Sequence, residues 1–264
     1  DGQLDTWLQP NSVSDASWLL PSGITIEDLV IEALRPADPR VSFSTTNVIV
    51  HDTAVNPIDG RLYILLDDDL LHLDDQASKR IVDIELGING SSLAIDESQN
   101  RLLIGTHDGS MLSRSLVDSS EHADLLNWVE DTSIDAITVD DYGIIWFVSA
   151  CELHHIAPSQ STFTTTNFCT TDNPEVSTDM VVISDKVYIA TTQSGVRVVD
   201  YSVSSNNSIV TIGSNNLWDT TNSLTSNSIS DLQVFGSQLL ISTIGGGINR
   251  YDTNADTWLT SWST

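Results

Sequence analysis

Lysine is almost missing from this chain: among 264 residues it occurs only at Lys79 and Lys186. With eight arginines the basic total is 10, against 37 acidic residues, for a formal net charge of −27. Such a surface cannot neutralise phosphates, which excludes a nucleic-acid partner. It also disfavours an anionic membrane surface. No apolar run reaches the 18 or so residues of a membrane span, so no membrane insertion is expected in this segment. No signal peptide is visible and Asp1 is not an initiator Met, so the chain reads as a mature or excised form. Catalytic signatures are missing as well. There is no G-x-S-x-G elbow and no H-E-x-x-H, and Gly245-Gly246-Gly247 lacks the Lys-Ser/Thr of a phosphate loop. The Asp-box pattern Ser-x-Asp-x-Gly-x-Thr-Trp does not occur.

What the chain does contain is a repeat. Five strongly apolar runs share one shape: RLYILLD from Arg61, RLLIGTH from Arg101, GIIWFVS from Gly143, KVYIATT from Lys186 and QLLISTI from Gln238. Their starts lie 40, 42, 43 and 52 residues apart. A period of about 40 residues with several short strands per unit predicts a β-propeller. The third unit shows the pattern. An alternating strand at Ile134–Asp140 is followed by a turn and by the apolar run Ile144–Ala150, as expected of a strand buried between neighbouring blades. A third strand at Glu152–Ala157 and a Thr-rich outer strand at Ser161–Phe168 complete it. Gly109, Gly195 and Gly247 recur at the turn between second and third strands, where a positive φ suits glycine.

Clear repeats fill residues 47–264, and 264 residues divide into about six four-stranded antiparallel blades of one all-β domain. Residues 1–46 read as a divergent blade or irregular segment, with helical spacing at Ile26, Leu29, Val30, Ala33 and Leu34 stopped by Pro36. Asp5-Thr6-Trp7-Leu8 repeats as Asp256-Thr257-Trp258-Leu259, which keeps open seven blades or a fragment of a longer array.

The fifth unit resembles the two-component-regulator propeller repeat. Leu224-Thr-Ser-Asn-Ser-Ile-Ser-Asp-Leu-Gln-Val and the stretch from Gln238 to Trp258 carry the likeness. Thr225 stands where that repeat has Pro, Ser242-Thr243 where it has Gly-Thr, and Leu240 where it has Trp. The third unit keeps the Trp as Trp146, and the second keeps Gly105-Thr106. The match is good over the fifth unit and partial over 47–264. The resemblance implies a non-catalytic, sensor-like propeller outside the cytoplasm, of a kind often joined to a membrane helix and a kinase.

Asp outnumbers Glu 29 to 8. The plain reading is a soluble, self-repelling surface that salt screens; the functional one is a cation or a cationic partner. The densest cluster, Asp67-Asp68-Asp69 with Asp74-Asp75, offers hard-cation oxygens, and calcium is the cofactor such a cluster would take. It lacks EF-hand spacing, and a solvated turn is the plainer expectation. His51, His72, His107, His122, His154 and His155 are scattered, and the adjacent pair points to opposite faces of a strand. Seven Trp residues offer sugar-stacking faces or interblade packing. Cys151 and Cys169 flank one hairpin and come within a register slip of facing one another, so a disulfide is expected, with two buried thiols as the alternative. The low Lys content and the sequons at Asn89 and Asn206 fit an extracellular, periplasmic or cell-surface protein. The expected role is a ligand-binding or protein-interaction module for a small molecule, glycan or protein. The alternative is a propeller lyase, lactonase or hydrolase with its site at the channel mouth.

Overall fold

The computed structural model describes residues 50–66, 69–73, 81–85, 89–116, 122–126, 132–168, 176–204 and 210–262. The divergent blade or helix expected in residues 1–46 lies outside them. The chain separates into two compact units, Asp1–Gly87 and Ile88–Thr264.

Among the described residues, the first unit holds one four-stranded antiparallel sheet of β1 (Asp52–Val55), β2 (Leu62–Leu65), β3 (Asp69–Leu73) and β4 (Ile81–Glu85). Its β1–β2 turn is closed by Asn56, which is buried and accepts the amide of Ile58 on its side chain at 3.0 Å.

The second unit holds four such sheets. The first is β5 (Gly90–Asp96), β6 (Arg101–Thr106), β7 (Met111–Ser115) and β8 (His122–Leu126); the next is β9 (Ala136–Val139), β10 (Ile145–Ser149), β11 (Glu152–Ile156) and β12 (Thr164–Asn167). Then come β13 (Ser177–Ile183), β14 (Lys186–Thr191), β15 (Val196–Val203) and β16 (Val210–Trp218), and last β17 (Ile229–Phe235), β18 (Gln238–Thr243), β19 (Gly247–Asp252) and β20 (Thr257–Trp262). In every sheet each strand pairs with the next in sequence, which short tight turns permit. The first strands β5, β9, β13 and β17 pack side by side in that order. Sheets so arranged face one another, and their second strands are buried on both sides.

That burial explains the apolar runs. Every residue of β10 is buried. Trp146 and Val148 enter a core shared with Met180, Val187, Ile189 and Tyr201 of the following sheet. Ile145 and Phe147 enter the opposite core, with Leu103 and Met111 of the preceding sheet. A third core, built on Tyr188, Val198, Leu232, Leu239 and Tyr251, joins the last two sheets.

Polar fastenings recur too. Asp140, between β9 and β10, accepts four hydrogen bonds: the amides of Tyr142 and Ile144 and the Trp146 indole at 2.9 Å, and the Tyr201 hydroxyl at 2.8 Å. Burial and the Asp140 bond hold the Tyr201 phenol well above its ordinary range. At the other end of the sheets, Thr106, Thr191 and Thr243 close the turn after the second strand. Each hydroxyl donates to the carbonyl four residues on, at 2.9, 2.9 and 2.8 Å. In the third sheet the turn is shorter, and Ala150 takes the left-handed conformation (φ 50°) that Gly109, Gly195 and Gly247 take elsewhere. Gly105 has a different reason. A Cβ there would lie 2.4 Å from the Ser92 hydroxyl and 2.8 Å from Ile134, so a side chain would force β6 away from the neighbouring first strands.

Candidate functional site

The first strand of a sheet begins at the end where the second strand finishes. The starts of β5, β9, β13 and β17 therefore lie at one end of the unit, with the turns after Thr106, Ser149, Thr191 and Thr243. This mouth is polar. Three of the first strands start with a β-bulge, between Gly90 and Ser92, Ser177 and Asp179, and Ile229 and Asp231. A bulge frees one residue from the ladder and turns its side chain away. Ser91, Thr178 and Ser230 take that position, and Asp135 precedes β9 in the same way.

The freed hydroxyls tie neighbouring first strands together. Ser91 donates to the Ile134 carbonyl at 2.7 Å, and Thr178 to the Ile229 carbonyl at 3.1 Å. Beside them stand three carboxyls. Asp135 is half-buried and accepts the Ala150 amide at 3.1 Å; burial pushes its carboxyl up to about 6. Asp179 accepts the amides of Met180 and Leu232, both at 2.7 Å, so it joins β13 to β17. Burial, and then the negative charge of Asp231, push the Asp179 carboxyl strongly up. Asp231 is exposed.

A hydrogen-bonded chain runs into the mouth from the second sheet. His107 Nδ1 lies 3.2 Å from the Ser133 hydroxyl, which in turn bonds Asp135 and holds its carboxyl down against the effect of burial. A serine has one proton. Donated to Asp135, that proton leaves the hydroxyl as acceptor from His107.

The residues singled out from the sequence fall elsewhere. Asp67, Asp68, Asp74 and Asp75 lie outside the described residues, and Asp69 opens β3 opposite Glu85. Among the described residues no group of three or more His, Cys, Asp or Glu is placed to hold a metal ion. His154 and His155 do point to opposite faces. His154 stacks on Phe147 at 4.5 Å and bonds the Thr165 hydroxyl at 2.9 Å, while His155 packs on Trp146 at 5.1 Å. Burial, with His155 nearby, pushes the His154 imidazole down to about 4, and burial lowers His155, so both are neutral packing groups near pH 7. Trp146, Trp218 and Trp258 serve interblade packing, Trp218 lying 4.5 Å from Tyr251 and 4.9 Å from Trp258. Trp262 stays half-exposed under the Arg250 guanidinium at 4.6 Å. Cys151 lies in the β10–β11 turn, and its carbonyl accepts the Phe168 amide at 3.0 Å, one residue short of Cys169. Cys169 itself lies outside the described residues.

The mouth was missed in the sequence, yet it left a signal. Asp recurs at the start of the first strand as Asp52, Asp135, Asp179 and Asp231. Asp52, Asp179 and Asp231 hold the same register place, opposite Leu65, Ala190 and Ser242.

Comparison with solved structures gives the fold. Regucalcin from Agrobacterium tumefaciens, described as a calcium-binding protein, matches with a TM-score of 0.60 at 15% identity, over 82% of this chain and 74% of that one. The WD40 propeller domain of Doa1 matches at 0.55 and 14%, over 83% and 70%. A chain of the nidogen/laminin complex matches at 0.56 and 8%, over 82% and 81%. The protein is therefore an all-β propeller of four-stranded antiparallel blades. No protein-family model matches the sequence, and neither does any curated protein.

Proposed function

We propose that the protein is a non-catalytic, sensor-like propeller that binds a positively charged ligand at the mouth where its first strands begin. One observation carries this reading: four consecutive blades bring carboxyls and hydroxyls, and among the described residues no lysine or arginine, to the starts of their first strands. Ligand sites of closed β architectures favour such convergent ends. A net charge of −27 draws cations towards the protein. The likeness of the fifth unit to the two-component-regulator repeat favours sensing over catalysis. A structural neighbour described as calcium-binding makes calcium a natural hard-cation probe. We place the protein outside the cytoplasm, in keeping with its scarce lysine and with the pairing expected of Cys151 and Cys169.

Thermal melts in calcium chloride and in spermidine, each matched in ionic strength with sodium chloride, test this. Sodium should raise the melting temperature through general screening, since the Debye length is about 8 Å at physiological ionic strength. At least one probe should add a saturable rise at millimolar or lower concentration, and Asp135→Asn should weaken it several-fold. Equal responses to all three salts would leave only screening and would remove the mouth as a site for either class of cation.

A further inference from the structure

The second strands differ in what covers them. β6, β10 and β14 are buried on both sides, and each meets the first strand of the sheet after it: β6 meets β9, β10 meets β13 and β14 meets β17. In β18 only Leu239 and Ile241 are buried, and among the described residues of its unit no further sheet follows. Leu240 stands before Thr243 as Leu103 stands before Thr106, and Leu103 enters the core shared with the next sheet. Residues paired across a ladder share a face, so the register shows what this open side carries. Leu240 pairs with Arg250 and Arg250 with Leu259; Ser242 pairs with Ile248 and Ile248 with Trp262; Phe235 pairs with Gln238 and Gln238 with Asp252. Phe235 and Trp262 are each 51% exposed.

The same side holds an arginine without an acid. Arg61, Arg101 and Lys186 each meet a carboxylate, those of Asp59, Asp96 and Asp200. Arg250 instead donates twice to the neutral Gln238 amide, at 3.3 and 2.9 Å, and lies 4.6 Å from the centre of the Trp262 ring. Among the described residues it has no acidic partner, although the chain carries 37 acidic residues. The amide and the ring hold the guanidinium in place and leave its other donors for an anion. Asp252 lies on the same face of β19. Its Oδ1 accepts the amides of Asn254 and Ala255, both at 3.0 Å, and its second oxygen is left for a cation. Asp231, paired with Ser242, adds a carboxyl at the mouth end of the face.

We propose that this face joins two copies of the chain, packed sheet to sheet about a two-fold axis, with Arg250 of each copy on the partner's Asp252. Phe235, Leu240, Leu259 and Trp262 fill the space between them. A two-fold contact sets one patch against itself, so the patch must carry both members of every charge pair, as this one does. Facing sheets pack about 10 Å apart, a gap that side chains of this size fill. A cationic partner of the kind the mouth takes is opposed here by Arg250, whereas a second copy supplies the missing carboxylate. The net charge of −27 on each copy opposes pairing. The contact therefore rests on apolar burial and tightens as salt screens that repulsion.

Sedimentation equilibrium of the full chain from about 1 to about 200 μM tests this, at physiological and at molar sodium chloride. The average mass should climb with concentration towards twice the 28.8 kDa of one chain, and should do so at lower concentration in the higher salt. Arg250→Glu sets like charges against each other and should weaken pairing about tenfold or more. Trp262→Ala removes an exposed anchor and should weaken it to a similar degree. Both change surface side chains, and a melt at low concentration checks that the fold is kept; either variant alone decides the matter. Tyr142→Ser, which removes an exposed aromatic from the third blade, should leave pairing as it is. A wild type that stays monomeric throughout at both salts would overturn the contact and give the face to a different partner. So would a dimer that neither Arg250→Glu nor Trp262→Ala weakens, or one that Tyr142→Ser weakens equally.

Discussion

Replacing Trp146 by alanine should cost about 3–5 kcal/mol of stability, the range for removing a large aromatic side chain from a packed core. Trp146 is fully buried at the contact between two sheets, with its ring 4.6 Å from Tyr201 and its indole N–H on Asp140. Alanine would leave a cavity on the face that joins the third blade to the fourth, and would remove one of the four bonds that Asp140 accepts. In a chain of this size such a loss lowers the melting temperature by roughly 5–10 °C. Trp146→Phe should cost less, because it keeps most of the packing and loses chiefly the indole hydrogen bond, worth about 1 kcal/mol. Differential scanning calorimetry of both variants checks this. An alanine variant that melts within a degree of wild type would mean that the two sheets do not share this core.

Reduction should have the second large effect. The pairing of Glu152 with Asn167 and the bond from Phe168 to the Cys151 carbonyl run the β11–β12 hairpin towards Cys169. A Cys151–Cys169 bond would tie the turn before β11 to the end of the outer strand. In the chain-entropy account, a loop of this length is worth about 3 kcal/mol. Intact mass after alkylation should show no free thiol before reduction and two after it, with a matching drop in melting temperature. Two thiols that alkylate without reductant would dismiss the bond and remove one support for a location outside the cytoplasm.

The blades were legible in the sequence because burial writes itself plainly there. Ile144–Val148 reads as an unbroken apolar run since both its faces meet other sheets, and the Thr-rich outer strand Thr164–Asn167 reads as exposed, as it is. The Gly-Thr pair of the resemblance also has its physical reason: Gly105 lets β6 approach its neighbours, and the Thr106 hydroxyl closes the next turn. The mouth was harder to see. Its carboxyls sit at β-bulges, which shift the two-residue alternation by one place. Asp179 and Asp231 thus fall out of step with Asp135, so no single repeat position collects all three. The dense run Asp67–Asp69 drew attention by its crowding, whereas single aspartates converge only once the strands are folded.

Backbone-amide NMR of the protein titrated with whichever probe gives saturable stabilisation tests the central claim most directly. Binding at the mouth predicts the largest shifts at Ser91, Ser133 to Asp135, Thr178 to Met180 and Ser230 to Leu232, with the outer strands β12, β16 and β20 unmoved. Shifts concentrated at Asp67–Asp75, or spread evenly over the acidic surface, would contradict a site at the mouth.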